Sequence, residues 1–132
     1  MSTLVYEDTE PFRFVEEMKL LFPLHYEELC VTKDFELNPD YDAYKRLCDA
    51  GMLRCITCRC DGELIGYIIF YIQPHLHYKS CKTAFEDIYF IKKEYRRGRI
   101  GIKLFQYAES VLKGIGVHRI RSEEHTSELQ SH

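Results

Sequence analysis

The sequence predicts an α/β domain in which helices flank a single sheet, and three observations carry that reading. Residues Thr83 to Glu109 pass from a strand pattern through a basic, glycine-bearing turn into an amphipathic helical stripe. Two strand-like runs, Leu53 to Cys60 and Glu63 to Ile72, are joined by Asp61 and Gly62, a two-residue hairpin signal. The elements follow one another as β-α-α-β-β-β-α-β, with no repeat, linker or low-complexity segment.

Each element has a local cause. Leu4, Val5 and Tyr6 begin a first strand, and Pro11 then opens a helix whose face is Phe14, Met18, Leu21 and, by the same spacing, His25. Pro23 interrupts that pattern, which predicts two short helices or one kinked helix. Asn38, Pro39 and Asp40 form a turn and cap before a helix with the stripe Tyr44, Leu47 and Cys48, ending near Gly51. The second strand of the hairpin is apolar on both faces from Leu64 to Ile72, as expected of a central strand covered on both sides. Pro74 ends it, and His75 to Lys82 reads as a polar loop. The last helix has the stripe Gly101, Leu104, Phe105, Ala108, Val111 and Leu112; Gly114 and Gly116 stop it, and Val117 to Ile120 begins another strand.

The strand-turn-helix stretch is the part of the chain that suggests chemistry. A helix that starts directly after a tight turn leaves its first N–H groups unpaired, and its dipole places partial positive charge there, so such an end binds phosphate. Arg96, Arg97 and Arg99 add full charges, while Gly98 and Gly101 leave the backbone open to close approach. An ordinary β-turn-α connection with a solvated basic loop is the other reading of these residues.

The run from Glu94 to Leu104 resembles the acetyl-CoA loop of the GCN5-related N-acetyltransferase (GNAT) family, whose pattern is Gln/Arg-x-x-Gly-x-Gly/Ala. Arg96 and Gly101 match its first and last positions, and Arg99 stands where the first glycine is usual. The preceding Ile88 to Ile91 is similar to the family's fourth strand, which pairs by main chain with the pantetheine arm of the cofactor. The resemblance spans residues 3 to 120 and is closest from Phe85 to Leu112. It implies an acyl-CoA N-acyltransferase-like fold, with a mixed, mostly antiparallel sheet flanked by helices and incomplete at the C-terminus. It further implies acetyl transfer from acetyl-CoA to a primary amine, with Arg96, Arg97, Gly98, Arg99, Ile100, Gly101 and Ile102 at the cofactor and no metal.

The tail from Arg121 to His132 back-translates in frame into a sequencing-library adapter, and is expected to be foreign to the domain. The expected organisation is a partial N-acetyltransferase domain over 1–120 and an artefactual tail over 121–132, so His125 and Glu128 are not read as metal ligands. By comparison with the family, a further helix and the closing strands are absent, together with a tyrosine that commonly protonates the leaving thiolate. The 132-residue chain is therefore expected to be poorly soluble and inactive, and its tail to make few long-range apolar contacts. CoA release by this chain and by one continued with natural sequence tests that expectation, and comparable turnover by the two would contradict it.

Setting aside Arg121, Glu123, Glu124 and Glu128 from eighteen basic and twenty-one acidic residues leaves seventeen and eighteen, a net charge of −1. Such a balance gives no support to generic attraction for nucleic acid or membrane, and no apolar run is long enough to span a bilayer. The N-terminus lacks a basic region followed by an apolar stretch, so a cytoplasmic location is expected. Eight Phe and ten Tyr in a chain 45% apolar suffice for one core.

Six cysteines, Cys30, Cys48, Cys55, Cys58, Cys60 and Cys81, raise the possibility of a metal site, most sharply at Cys55, Cys58 and Cys60 near His75 and His77. On a strand, however, Cys55 points away from Cys58 and Cys60, so free thiols acting as small apolar residues in a reducing compartment are expected.

For the chemistry, the attacking amine must lose a proton to a base. Family members often carry a carboxylate on the fourth strand for this, and Glu86 and Asp87 are adjacent there. Counting back from Arg96 without a gap points to Asp87, whereas a single bulge points to Glu86, and only one can face the site because strand neighbours alternate. Both could also be solvated charges at a strand start. A backbone N–H near Ile91 would polarise the thioester carbonyl. No serine or cysteine nucleophile with a plausible base appears, so direct transfer is expected. The acid-rich stretch Asp34 to Asp42 could face a cationic amine or be a solvated loop. The acceptor is expected to be a small-molecule or protein amine. A nucleotide-hydrolase P-loop and a dinucleotide fingerprint are both absent, which leaves a non-catalytic acyl-CoA or phosphate-binding module as the alternative.

Overall fold

A computed structural model describes residues 3–29, 40–74, 81–121 and 126–128. Strand β1 (Leu4–Thr9) is followed by helices α1 (Pro11–Leu29) and α2 (Tyr41–Asp49). Strands β2 (Leu53–Cys60), β3 (Glu63–Pro74) and β4 (Lys82–Ile91) come next, then helix α3 (Ile100–Gly114) and strands β5 (Val117–Arg121) and β6 (Thr126–Glu128). All six strands form one sheet in chain order. Every neighbouring pair is antiparallel except β4 and β5, which are parallel and joined through α3. The mixed, mostly antiparallel α/β fold expected from the sequence is the fold observed.

The local signals act as anticipated in most places. Asp61 and Gly62 both adopt positive φ, 51° and 86°, the mirror-image turn whose twist matches two antiparallel strands. The Asp40 carboxylate accepts from the Ala43 N–H at 2.9 Å and caps α2. At α1, Glu10 does the same work, accepting from the amides of Phe12 and Arg13 at 3.1 and 2.7 Å. Pro23 neither divides nor ends α1, which is one helix through Leu29; proline removes a single N–H donor, and the bonds on either side carry the helix past it. The His25 side chain and the segments Asp34 to Pro39 and His75 to Ser80 lie outside the described residues. Strand β4 begins at Lys82, one residue inside the expected loop.

The sheet separates two cores. On one face Ile56, Cys58, Ile65, Ile68, Phe70, Ala84, Ile91 and Ile120 pack against Leu104, Ala108 and Leu112 of α3. On the other, Leu53, Cys55, Tyr67, Ile69 and Phe90 pack against Phe14, Val15 and Met18 of α1, with Tyr41, Tyr44 and Leu47 of α2 at the border. β3 is buried on both sides from Leu64 to Phe70, as its unbroken apolar run requires. Within the tail, Thr126–Glu128 pairs with β5 as a short strand.

Two register shifts interrupt the ladders. Between β2 and β3, Cys58 faces Gly66 and Arg59 faces Leu64, so the extra residue is Ile65 and the alternation of β2 is undisturbed. Cys55 therefore joins the α1/α2 core while Cys58 and Cys60 join the α3 core. Between β3 and β4, Ile69 faces Ile88 and Phe70 faces Glu86, so Asp87 is the extra residue of a bulge.

Three thiols divided between opposite faces of a sheet cannot close a tetrahedral site. Purified protein is expected to carry no stoichiometric zinc and to keep its melting temperature in chelator. One zinc per chain whose removal unfolds the protein would contradict this arrangement.

Candidate functional site

Strand β4 is bound unequally along its two edges. β3 pairs with it from Lys82 to Ile91, whereas β5 pairs with it only from Lys82 to Phe85. Beyond Phe85, among the described residues, no strand pairs with that second edge. The hydrogen-bond phase is set by the Lys92 N–H, which donates to the Ile65 carbonyl at 2.8 Å. Lys92 thus faces β3; Ile91 and Tyr89, at the alternate positions, direct their amides into the gap. Consistently, the Ile91 carbonyl accepts from Arg96 Nε at 2.9 Å on the gap side, leaving the Ile91 N–H as the outward donor. The result is a notch lined by strand amides, open where β4 and β5 part.

The turn after β4 delivers a second set of donors beside this notch. Lys93–Tyr95 makes one 3-10 turn, and Gly98 takes φ 101°, a conformation suited to glycine. Arg99 is the N-cap of α3 and makes no side-chain capping bond. The first intrahelical bond runs from the Lys103 N–H to the Arg99 carbonyl at 2.9 Å, so the amides of Ile100, Gly101 and Ile102 precede it without helical partners. Arg97 and Arg99 are exposed, and among the described residues neither makes an ion pair, so their charges add to the helix dipole.

Arg96 and Gly101 also have structural roles that the sequence pattern does not announce. Arg96 ties the turn back to the end of β4 through its Nε, which makes it an anchor of the loop. At Gly101, a Cβ would lie 2.5 Å from Tyr89 Oη and 3.2 Å from Ile91 Cδ1. The space opened by that glycine is filled by the Tyr89 ring, so the glycine serves helix-to-strand packing. Gly66 has a matching role on β3, where a Cβ would come within 3.2 Å of both Ile91 Cγ1 and the Phe90 carbonyl.

The adjacent carboxylates fall on opposite faces. The bulge keeps Asp87 and Ile88 together on the α1/α2 side and leaves Glu86 with Tyr89 on the α3 side. The bulge raised as a possibility from sequence is present, and its extra residue is Asp87 itself. The Tyr44 hydroxyl donates to Asp87 Oδ2. Burial raises the Asp87 carboxyl above the ordinary carboxylate range, opposed by that hydrogen bond. The group is open to solvent on one side and walled by protein on the others. Tyr44 itself is pushed far up, by burial first and then by the Asp87 charge, so it stays a proton donor. Burial, followed by the Glu86 charge, also raises Tyr89.

The model of the acetyltransferase (GNAT) family matches residues 13–132. The chain belongs to the GNAT acetyltransferase family. Solved structures share its fold at low identity. An aminoglycoside acetyltransferase from an uncultured soil metagenomic sample superposes with a TM-score of 0.70 at 16% identity, covering 92% of this chain and 79% of its own. The glucosamine-6-phosphate N-acetyltransferase of Arabidopsis thaliana gives 0.66 at 12% identity, over 92% and 82%. A protein described as a predicted acetyltransferase with acetyl-CoA, from Clostridium acetobutylicum, gives 0.63 at 13%, over 92% and 80%. No curated protein sequence matches significantly. As a GNAT member the chain is a transferase of acyl groups, and among its described residues no helix is long and apolar enough to cross a membrane.

Sequence reasoning missed three residues of this candidate site: Tyr44, Tyr89 and Gly66. Tyr44 was legible only as part of an apolar stripe, although tyrosine at such a stripe's edge carries a polar tip that can reach a partner. The fit of Tyr89 over Gly101 and of Ile91 over Gly66 is set by tertiary proximity alone, which no spacing announces.

The fit of Tyr89 over Gly101 has a measurable consequence. Gly101→Ala is expected to displace the ring and to destabilise the fold by about 1–3 kcal/mol in thermal or denaturant unfolding. Adding Tyr89→Phe, which removes the encroaching oxygen, should restore part of the loss; an unchanged melting temperature for the single variant would contradict the packing described.

Proposed function

We propose that the domain transfers an acetyl group from acetyl-CoA directly to a primary amine, with Asp87 as the base. The observation that carries this reading is the position of Asp87: it stands on a bulge beside the unpaired edge of β4, on the face opposite α3. On this reading the cofactor's pyrophosphate meets the amides of Ile100, Gly101 and Ile102, with Arg97 and Arg99 adding charge and the Arg96 to Gly98 turn shaping the approach. The pantetheine arm then follows the free edge of β4 through the gap, and the thioester emerges on the α1/α2 face near Asp87.

The amine proton passes to the Asp87 carboxylate as the nitrogen attacks the thioester carbonyl, forming the C–N bond. Charge builds on the carbonyl oxygen, where the Ile91 N–H is the donor aimed into the gap. Collapse breaks the C–S bond and releases CoA as a thiolate, which takes up a proton. Glu86, on the α3 face, stands on the cofactor side of the sheet and is assigned no proton transfer. The acceptor is a small-molecule or protein amine, and the likeness to an aminoglycoside acetyltransferase and a glucosamine-6-phosphate N-acetyltransferase favours a small one.

Asp87→Asn and Glu86→Gln separate the two carboxylates. CoA release is followed with a thiol reagent, in this chain and in one continued past Ile120 by natural sequence, because the reading of 121–132 as a foreign tail bears on turnover. Asp87→Asn is expected to lower kcat by about 10²–10⁴ while acetyl-CoA binding persists, and Glu86→Gln to act weakly. Full turnover by Asp87→Asn would overturn the assignment. A stability effect accompanies it. Because the folded pKa of Asp87 is raised, its protonated form is the one folding favours. That contribution is present below the ordinary aspartate range and is lost as pH rises through the folded value. At neutral pH, Asp87→Asn should therefore melt no lower than the parent, and a marked drop would contradict a carboxylate held at a cost.

A further inference from the structure

We propose that Tyr44 is a positioning residue for the reaction: its hydroxyl holds Asp87 Oδ2, orienting the carboxylate so that Oδ1 is presented to the incoming amine. This rests on the reading of Asp87 as the base.

The geometry supplies a fixed point and a movable one. Tyr44 sits on α2, whose start is locked by the Asp40 carboxylate and whose inner face borders the core of Leu53, Cys55 and Tyr67. The neighbouring Tyr41 ring lies 6.5 Å away, centroid to centroid, and helps fix the stripe. Asp87 is the extra residue of a bulge, without the regular ladder position that would otherwise set its direction. A single hydrogen bond from a helix 43 residues away in sequence therefore orients it. Oδ1 accepts no hydrogen bond among the described residues, which leaves it for the substrate.

The electrical surroundings make Tyr44 the group that counts. From β2, the buried Cys55 thiol is held neutral by burial, with Cys48, Asp8, Glu10 and lastly Asp87 adding to the effect. From β3, Tyr67 is likewise kept in its neutral form by burial. On the α1 side Glu10 contributes negative charge near Cys48 and Cys55. Among the described residues no cation pairs with Asp87, so the Tyr44 hydroxyl is the group that stabilises the carboxylate against its burial. Loss of that donor should leave the base harder to ionise and free to rotate.

The test reads Asp87 directly, in the chain as it is and without turnover. The ¹³C carboxyl titration of Asp87 is compared in the parent, in Tyr44→Phe and in a chain carrying 3-fluorotyrosine at position 44. Tyr44→Phe should raise the midpoint by about one pH unit, the size expected of a hydrogen bond to a charged group. The fluorinated phenol, a stronger donor that keeps the ring in place, should lower it, and this arm decides the matter if Tyr44→Phe fails to fold. In turnover, the acid limb of kcat/KM should shift upward for Tyr44→Phe with the KM for acetyl-CoA unchanged. Midpoints identical in all three chains would overturn the positioning role. Failure of the base assignment would be recognised separately, as retained turnover by Asp87→Asn.

Discussion

The site depends on a single inequality: β4 is held along its whole length by β3 and for only four residues by β5. Parallel pairing at Lys82 to Phe85 closes the sheet at one end, and the bulge at Asp87 then adds local twist just where the pairing ends. Backbone amides at Tyr89 and Ile91 are left facing a gap. An unpaired N–H is costly inside a protein unless something meets it, and on the proposed reading an extended main-chain-like ligand meets these. Gly66 supports it from behind, since only a residue without a side chain lets Ile91 and the Phe90 carbonyl approach so closely.

The sheet also works as a partition. On the α3 side lie the uncapped helix start, the exposed arginines, and Tyr89 wedged over Gly101. On the α1/α2 side lie Asp87 and Tyr44. A ligand with an anionic end and a reactive end would suit this division, its charge meeting the dipole on one face and its reactive carbon reaching the carboxylate on the other. The separation matters for the proposed base, because an aspartate set among the arginines would be driven below its useful range. Exposed on the far face, with protein around it and the Tyr44 hydroxyl beside it, it is instead raised, toward where a proton acceptor works at neutral pH.

Much of this was legible in the chain because the controlling signals are local. The Asp61 and Gly62 turn, the Asp40 cap, the both-faced apolar run of β3 and the stripe of α3 each act within a few residues, and each element formed where its signal stood. Strand alternation sufficed to divide Cys55 from Cys58 and Cys60. The features that escaped are those set by distant partners. Pro23 left two short helices or one kinked helix open, and α1 is a single helix through it. The bulge could be named as an alternative, but its extra residue is decided by how β3 packs against β4. That Gly101 makes room for Tyr89, and that Arg96 anchors the Ile91 carbonyl, follow from the turn's path in space.

The most direct measurement of the central claim is an amide-resolved ¹⁵N titration of the chain with acetyl-CoA. The account predicts that the largest shifts fall on Tyr89 and Ile91 of β4 and on Ile100, Gly101 and Ile102 of α3, while Phe90 and Lys92, whose amides face β3, respond weakly. An even response along β4, or shifts centred on another surface, would contradict the notch as the place where the acyl donor binds.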